Sequence, residues 1–281
     1  MNTYKDSINE HYTRDNLGKN ILAAYESAGK DIHSLTREDI SSFEEFHIRG
    51  RIATRELGQL AELTSGMKVL DIGSGVGGPA RTLAAEFGCE VVGLDMVEEY
   101  CNTAEMLTGK IGLSDKVTFR RGDMLDMPFG ESTFDVVWSQ HVTMNIDDKL
   151  RLFREIRRVL RPGGIFVLYE IIAGPASPIH FPVPWAGDST ISFLDTQDKL
   201  RPMLKDSGFN ELVWKDVSAI SLEWGQGIIT NMSSRPKDAS PPLGLNLLMG
   251  KTTAQKVKNM VLNLEEDRVR VVQAVLNDTC Q

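Results

Sequence analysis

The feature that most constrains this chain is a regular alternation of short apolar runs with amphipathic stretches from residue 67 onward. The first apolar run opens directly onto "DIGSGVGG", Asp71 to Gly78, which carries four glycines in eight positions. "KVLDIG" and "CEVVGLD" read as strands, separated by "PARTLAAEFG", a helix with proline at its start and glycine after its end. The pattern continues through "EYCNTAEMLTGKIG" (helix), "KVTFRRGD" (strand), "FDVVWSQ" (strand), "DDKLRLFREIRRVL" (helix) and "GIFVLYEII", a strand introduced by the turn "RPGG". After it "TQDKLRPMLKDSGF" reads as helix and "ELVWKDVSAISLEW" as strand. Strands alternating with helices of this length imply a parallel sheet covered on both faces, with ligands at the carboxyl ends of the strands. The expected fold is therefore α/β, a doubly wound Rossmann-like sheet.

With 281 residues, 41% of them hydrophobic and 25% charged, the chain can bury a substantial core. Its net charge of −8, without a long run of basic residues, excludes an electrostatic nucleic-acid footprint. Cys89, Cys101 and Cys280 show no metal-ligand spacing and leave an odd number for disulfides, which suits a reducing compartment. No metal is expected. The polar start "MNTYKDSINEHYTRDN" and the lack of a long apolar stretch predict neither signal peptide nor membrane span, and hence residence in the cytoplasm.

A bare backbone after a strand lets main chain approach a ligand. Gly73, Gly75 and Gly78 satisfy the G-x-G-x-x-G spacing of a nicotinamide-binding turn, so an NAD-dependent oxidoreductase must be weighed. Asp71, at the strand's end, would repel a pyrophosphate but welcome an amine. Asp95 closes the next strand and is placed to accept ribose hydroxyls, and Asp123 closes a third. Three acids at three strand ends suit S-adenosylmethionine, which carries an ammonium, a ribose and an adenine amino group but no phosphate.

In the order "VLDIGSGVGG", "VVGLD", "GDMLDMPFGESTFDVVWSQ", "EIRRVLRPGGIFVL", residues 67 to 175 resemble the class I S-adenosylmethionine-dependent methyltransferases. The resemblance implies that Gly73 and Gly75 line the methionine portion of the cofactor and Asp71 contacts its amine. Asp95 and Met96 take the ribose side, and Asp123 with Met124 frames the adenine. Gln140 and His141 border the transfer site, Tyr12 closes over the cofactor, and S-adenosylhomocysteine is the product. "SLTREDISSFEEFHIRGRIATRELGQL", "HFPVPWA", "LGLNLLMG" and "NLEEDRVRVVQAVL" are similar to the sarcosine and dimethylglycine N-methyltransferases of betaine synthesis. That narrower likeness implies a small-molecule acceptor, an amine. The alternative is O- or C-methylation of a quinone or another apolar metabolite.

Methyl transfer from a sulfonium needs orientation, with the nucleophile about 3 Å from the methyl carbon, and exclusion of water. An amine must first lose its proton, and His141 is the histidine placed beside the reacting methyl; His47, in "FEEFHIRG", is the weaker candidate. Trp185 offers an aromatic face to a methylated ammonium, or anchors its proline-rich loop. Arg49 and Arg55 are candidates, with Arg51, for clamping a substrate carboxylate; pairing with Glu44, Glu45 or Glu56 is the competing reading. The expected organisation is a helical cap segment over 1–63, with a capping box at "TRED", a core over 64–217 whose 173–195 insertion joins the cap, and a C-terminal cap segment over 218–281. That last segment is predicted to end in a helix from Thr253 to Asn277, and "MSSRPKDASPP" to be a mobile loop. A homodimer is compatible with this reading.

Overall fold

The computed structural model describes residues 4–234 and 243–278. Four helices precede the sheet: α1 (Tyr4–Tyr12), α2 (Leu17–Ser27), α3 (Arg37–Ile40) and α4 (Gly50–Leu60). Thr36 caps α3 through the expected box, its hydroxyl accepting from Asp39 N while the Asp39 carboxylate accepts from Thr36 N.

The sheet then builds in alternation: β1 (Lys68–Ile72), α5 (Gly78–Phe87), β2 (Glu90–Asp95), α6 (Glu98–Lys110), β3 (Val117–Arg121), β4 (Phe134–Gln140), α7 (Lys149–Val159) and β5 (Leu160–Ala173). Pro79 opens α5, and Gly88 closes it at φ 75°, as the sequence predicts. Alternate strand residues feed two cores. Val69, Val136 and Val167 face α4 and α5 through Leu57 and Leu83, while Leu70, Val137 and Leu168 face α7 through Phe153 and Ile156. The "RPGG" turn is absorbed into β5, where the β4–β5 register jumps from Phe134/Leu160 to Val136/Ile165.

The remainder is α8 (Gln197–Asp206), β6 (Phe209–Asp216), α9 (Ser218–Ser234), α10 (Asn246–Met249), α11 (Thr253–Glu265) and β7 (Val269–Asp278). Here the structure corrects the sequence reading. The strand expected to run through "ELVWKDVSAISLEW" stops at Asp216, whose carboxylate accepts from Ser218 N, and α9 begins. The helix expected from Thr253 to Asn277 breaks at Asp267, which adopts φ 53°, and "VRVVQAVLND" becomes β7. The strand order is β3-β2-β1-β4-β5-β7-β6, and β7 runs antiparallel to both neighbours. The sheet is therefore mixed, and residue 217 does not separate core from cap. Cys89 and Cys101 are buried free thiols; Cys280 lies outside the described residues, as does most of "MSSRPKDASPP", whose first three residues finish α9. No helix among the described residues is long and apolar enough to cross a membrane.

The order reverses between β1 and β4, opening a crevice beyond their carboxyl ends. Ile72 pairs with Ser139 across that point, so Gly73 leaves the sheet beside Gln140, the last residue of β4.

Candidate active site

A cavity enclosing about 1250 Å³ of space not filled by atoms, part of it open to solvent, occupies this crevice. Its floor is the β1–α5 turn and the residues just after β4; its roof comes from α1, the stretch before α4, the Pro184–Trp185 loop, α9 and α11.

The floor is polar and tightly held. Gly73 and Gly75 take φ of 65° and 54°, a region that favours glycine. At Gly73 a β-carbon would also stand 2.5 Å from Val142 Cγ2. Gly75 N donates to Asp95 Oδ2 at 2.8 Å and Val97 N to Asp95 Oδ1 at 2.9 Å, fixing the carboxylate against the wall. Burial raises the Asp95 pKa and these amide hydrogen bonds oppose it. Asp71 lies beneath, 2% exposed, with Oδ2 lacking a hydrogen-bond partner; burial and the neighbouring Asp95 and Glu45 carboxylates push its pKa well up.

Gln140 Oε1 accepts from Trp138 Nε1 at 2.8 Å, which turns its amide nitrogen to a buried position without a partner. Beside it His141 is held at φ 56°. Its Nδ1 lies 3.0 Å from Tyr169 O and its Nε2 accepts from Ile48 N at 3.3 Å. A carbonyl accepts and an amide donates, so the ring is the neutral Nδ1-H tautomer with both nitrogens engaged by main chain. Burial, with His47 beside it, drives its pKa down to about 3. The structure thus contradicts the expected role of His141 as proton acceptor: its lone pair is occupied and its basicity is lost. His47 fares no better, with Nε2 against Glu45 Oε2 at 3.1 Å and Nδ1 against Ile48 O at 3.2 Å.

Tyr12 reaches in from α1, and its hydroxyl donates to Asn145 Oδ1 at 2.8 Å. Asn145 in turn donates through Nδ2 to Trp185 O at 3.0 Å and Ile191 O at 2.7 Å, tying α1, the end of β4 and the post-β5 loop together. Trp185 forms part of the wall and also anchors its loop, 1% exposed, with Nε1 donating to Ser192 Oγ. Met96 and Met124 line the wall; Asp123 does not, and its Oδ1 accepts from Leu125 N.

The arginine expectation is corrected outright. Arg49 makes a two-bond pair with Glu56 (2.8 and 2.6 Å) and Arg55 one with Glu86 (2.6 and 2.9 Å); neither lines the cavity. Arg51 bridges Glu38 and Glu44. The roof is instead apolar: Phe46, Trp224, Ile228, Met249, Val257 and Met260. These residues, with Asn145, escaped the sequence reading, because a methionine or isoleucine on a cap helix looks like any core residue until the helix is placed.

Residues 70–168 match the methyltransferase domain family model. The sterol 24-C-methyltransferase of Gibberella zeae is 47% identical over 105 residues, 37% of this chain and 28% of that relative, so the chain spans under a third of that relative's length. Among solved structures, the [4+2]-cyclase SpnF superposes with a TM-score of 0.68 at 21% identity over 94% of this chain and 93% of its own. A candidate sarcosine dimethylglycine methyltransferase of Galdieria sulphuraria gives 0.64 at 18% identity, over 81% and 83%. The fold is the Rossmann-like α/β fold of the class I methyltransferases. Relatives with local sequence similarity include sterol 24-C-methyltransferases, and the methyltransferase GfsG of Streptomyces halstedii is 29% identical over 68% of this chain and 70% of its own.

Proposed function

We propose that the chain is an S-adenosylmethionine-dependent methyltransferase whose acceptor is a bulky, largely apolar molecule methylated at carbon or oxygen. The observation that carries this reading is the division of one cavity into a polar floor and an apolar roof. Among the described residues no lysine or arginine lines it, and its acids are Asp95 on the floor and Glu44, which is neutralised by Arg51 and Arg81.

The floor suits the cofactor. Asp95 would accept the ribose hydroxyls, Gly73 and Gly75 would admit the methionine portion, and Met96 with Met124 would flank the adenine. Two buried polar atoms without partners, Asp71 Oδ2 and Gln140 Nε2, are complements to an amine and a carboxylate. Bound there, the cofactor supplies an electrophilic methyl group. The protein's part is orientation and dryness: Tyr12 and Asn145 close the roof over the floor, and the apolar roof keeps water away.

Sarcosine or dimethylglycine is disfavoured as acceptor. Its carboxylate would find Arg49 and Arg55 committed elsewhere, and its ammonium would find His141 without a usable lone pair. The sterol relatives support an apolar acceptor. The test is S-adenosylhomocysteine release with a sterol and a prenylated quinol as acceptors, beside sarcosine and dimethylglycine. Turnover on an apolar acceptor supports the reading; turnover confined to the amino acids overturns it.

A further inference from the structure

The stretch between α3 and α4 lines the cavity with three consecutive residues, Phe46, His47 and Ile48, and with Glu44 before them. It is a strap held at both ends. At one end Glu44 lies against the start of α5, so closely that a β-carbon at Gly78 would stand 2.2 Å from Glu44 O. At the other, Arg49 turns the chain into α4 at φ 66° and is locked by its two bonds to Glu56.

Ile48, between these ends, is where the strap meets the sheet. Buried main-chain groups ordinarily pair within helices and sheets. Here both polar atoms of Ile48 are taken by side chains. Its N donates to His141 Nε2 at 3.3 Å, and its O accepts from the Tyr169 hydroxyl at 3.1 Å, with His47 Nδ1 3.2 Å from the same oxygen. The clasping rings also touch one another: His141 and Tyr169 lie 4.6 Å apart between centroids, and His47 lies 5.9 and 5.8 Å from them. His141 makes its bond from φ 56°, so strained residues stand on both sides of the clasp, His141 across it and Arg49 next in the chain. Strain of this kind persists where the surroundings over-determine it, and it gathers at functional sites.

Attachment of α4 does not call for such a clasp. That helix already packs closely on α5, where a β-carbon at Gly58 would stand 2.5 Å from Phe87 Cζ. What the clasp adds is a fixed place for the Ile48 side chain in the cavity wall, between Gln140 and His141 of the floor and Phe46 of the roof. We propose that Ile48 is a specificity-determining residue, the stop that aligns an apolar acceptor with the methyl group of the cofactor, and that His141 and Tyr169 are the positioning residues that hold it. This rests on the apolar-acceptor reading above and names the wall that orients that acceptor.

The test uses the full chain, S-adenosylmethionine and whichever of the sterol and the prenylated quinol it methylates. Ile48→Ala should lower kcat about tenfold or more, because methyl transfer depends on alignment of the acceptor. Its affinity for S-adenosylhomocysteine by calorimetry should hold. Ile48→Leu keeps the volume of the side chain and should recover most of kcat. Tyr169→Phe deletes the hydroxyl on Ile48 O and nothing else. It should lower kcat, leave KM for S-adenosylmethionine unchanged and speed deuterium exchange at the Ile48 amide. Native kcat in either Ile48→Ala or Tyr169→Phe, an Ile48→Leu as slow as Ile48→Ala, or a loss of rate matched by a loss of S-adenosylhomocysteine affinity would overturn the assignment. If the native chain binds S-adenosylhomocysteine but methylates neither apolar acceptor, the apolar-acceptor reading itself falls and the assignment with it.

Discussion

Each floor residue is defined by what its polar atoms already hold. Asp95 was legible as a strand-end acid in "VVGLD", and its carboxylate stands where two backbone amides fix it with lone pairs to spare. Asp95→Asn keeps the shape but gives up the charge, so affinity for S-adenosylhomocysteine should drop about tenfold or more by calorimetry. Unchanged affinity would remove Asp95 from the cofactor site. His141 was legible as a residue of the site but not in its role, because its partners, Ile48 N and Tyr169 O, come from segments far away in sequence. Its folded pKa, about 3, lies below the ordinary 6.5, so the unfolded chain binds the extra proton. Its contribution to stability is therefore complete above pH 6.5 and is lost as pH falls toward 3, at up to about 1.4 kcal/mol per pH unit. His141→Gln should flatten the stability profile over that range in urea titrations at stepped pH. Glu170, buried with Oε1 accepting from Val142 N and Thr143 N, works oppositely: burial raises its pKa to about 7, so its share of stability declines as pH rises from 4.5 through 7. Glu170→Gln retains the acceptor oxygen and should remove that decline.

At the scale of elements, α5 and the strands of the first half announce themselves by caps and apolar runs, while the last third does not. "NLEEDRVRVVQAVL" carries apolar residues at spacings that serve a helix or a buried strand, and only insertion between β5 and β6 decides for the strand. That pairing joins residues about a hundred positions apart, as Ile165 with Asn277, and no local signal encodes it. Arg49 and Arg55 illustrate the same limit: a cavity and glutamates are both nearby, and Arg49 pairs with Glu56 of its own helix while the packing of α4 on α5 gives Arg55 to Glu86. The roof depends on α9 lying close on α11, where a β-carbon at Gly225 would stand 2.7 Å from Val261 Cγ2. Gly225→Ala should cost about 1–3 kcal/mol through overpacking. A fall of several degrees in melting temperature is the expected readout, and an unchanged midpoint would mean that the two helices part readily.

For the molecule as a whole, the floor comes from the middle of the chain and the roof largely from its two ends: Gly73 after β1 and Asn145 after β4 below, Tyr12 from α1 with Val257 and Met260 from α11 above. The cap is thus a surface assembled on the sheet by sequence-distant segments. Binding of the cofactor to the folded chain alone should stabilise it by about 2.7 kcal/mol at a hundredfold excess over Kd. Thermal melts with S-adenosylhomocysteine should show that shift, and melts with NAD should not. A shift with NAD alone would return the oxidoreductase reading that Gly73, Gly75 and Gly78 admit. The most direct test of the central claim follows radiolabelled methyl from S-adenosylmethionine into organic-extractable product, with an apolar acceptor mixture in one arm and sarcosine with dimethylglycine in the other. The account predicts label in the organic phase that depends on the apolar acceptors and is lost without them; label only in a water-soluble amino acid would contradict it.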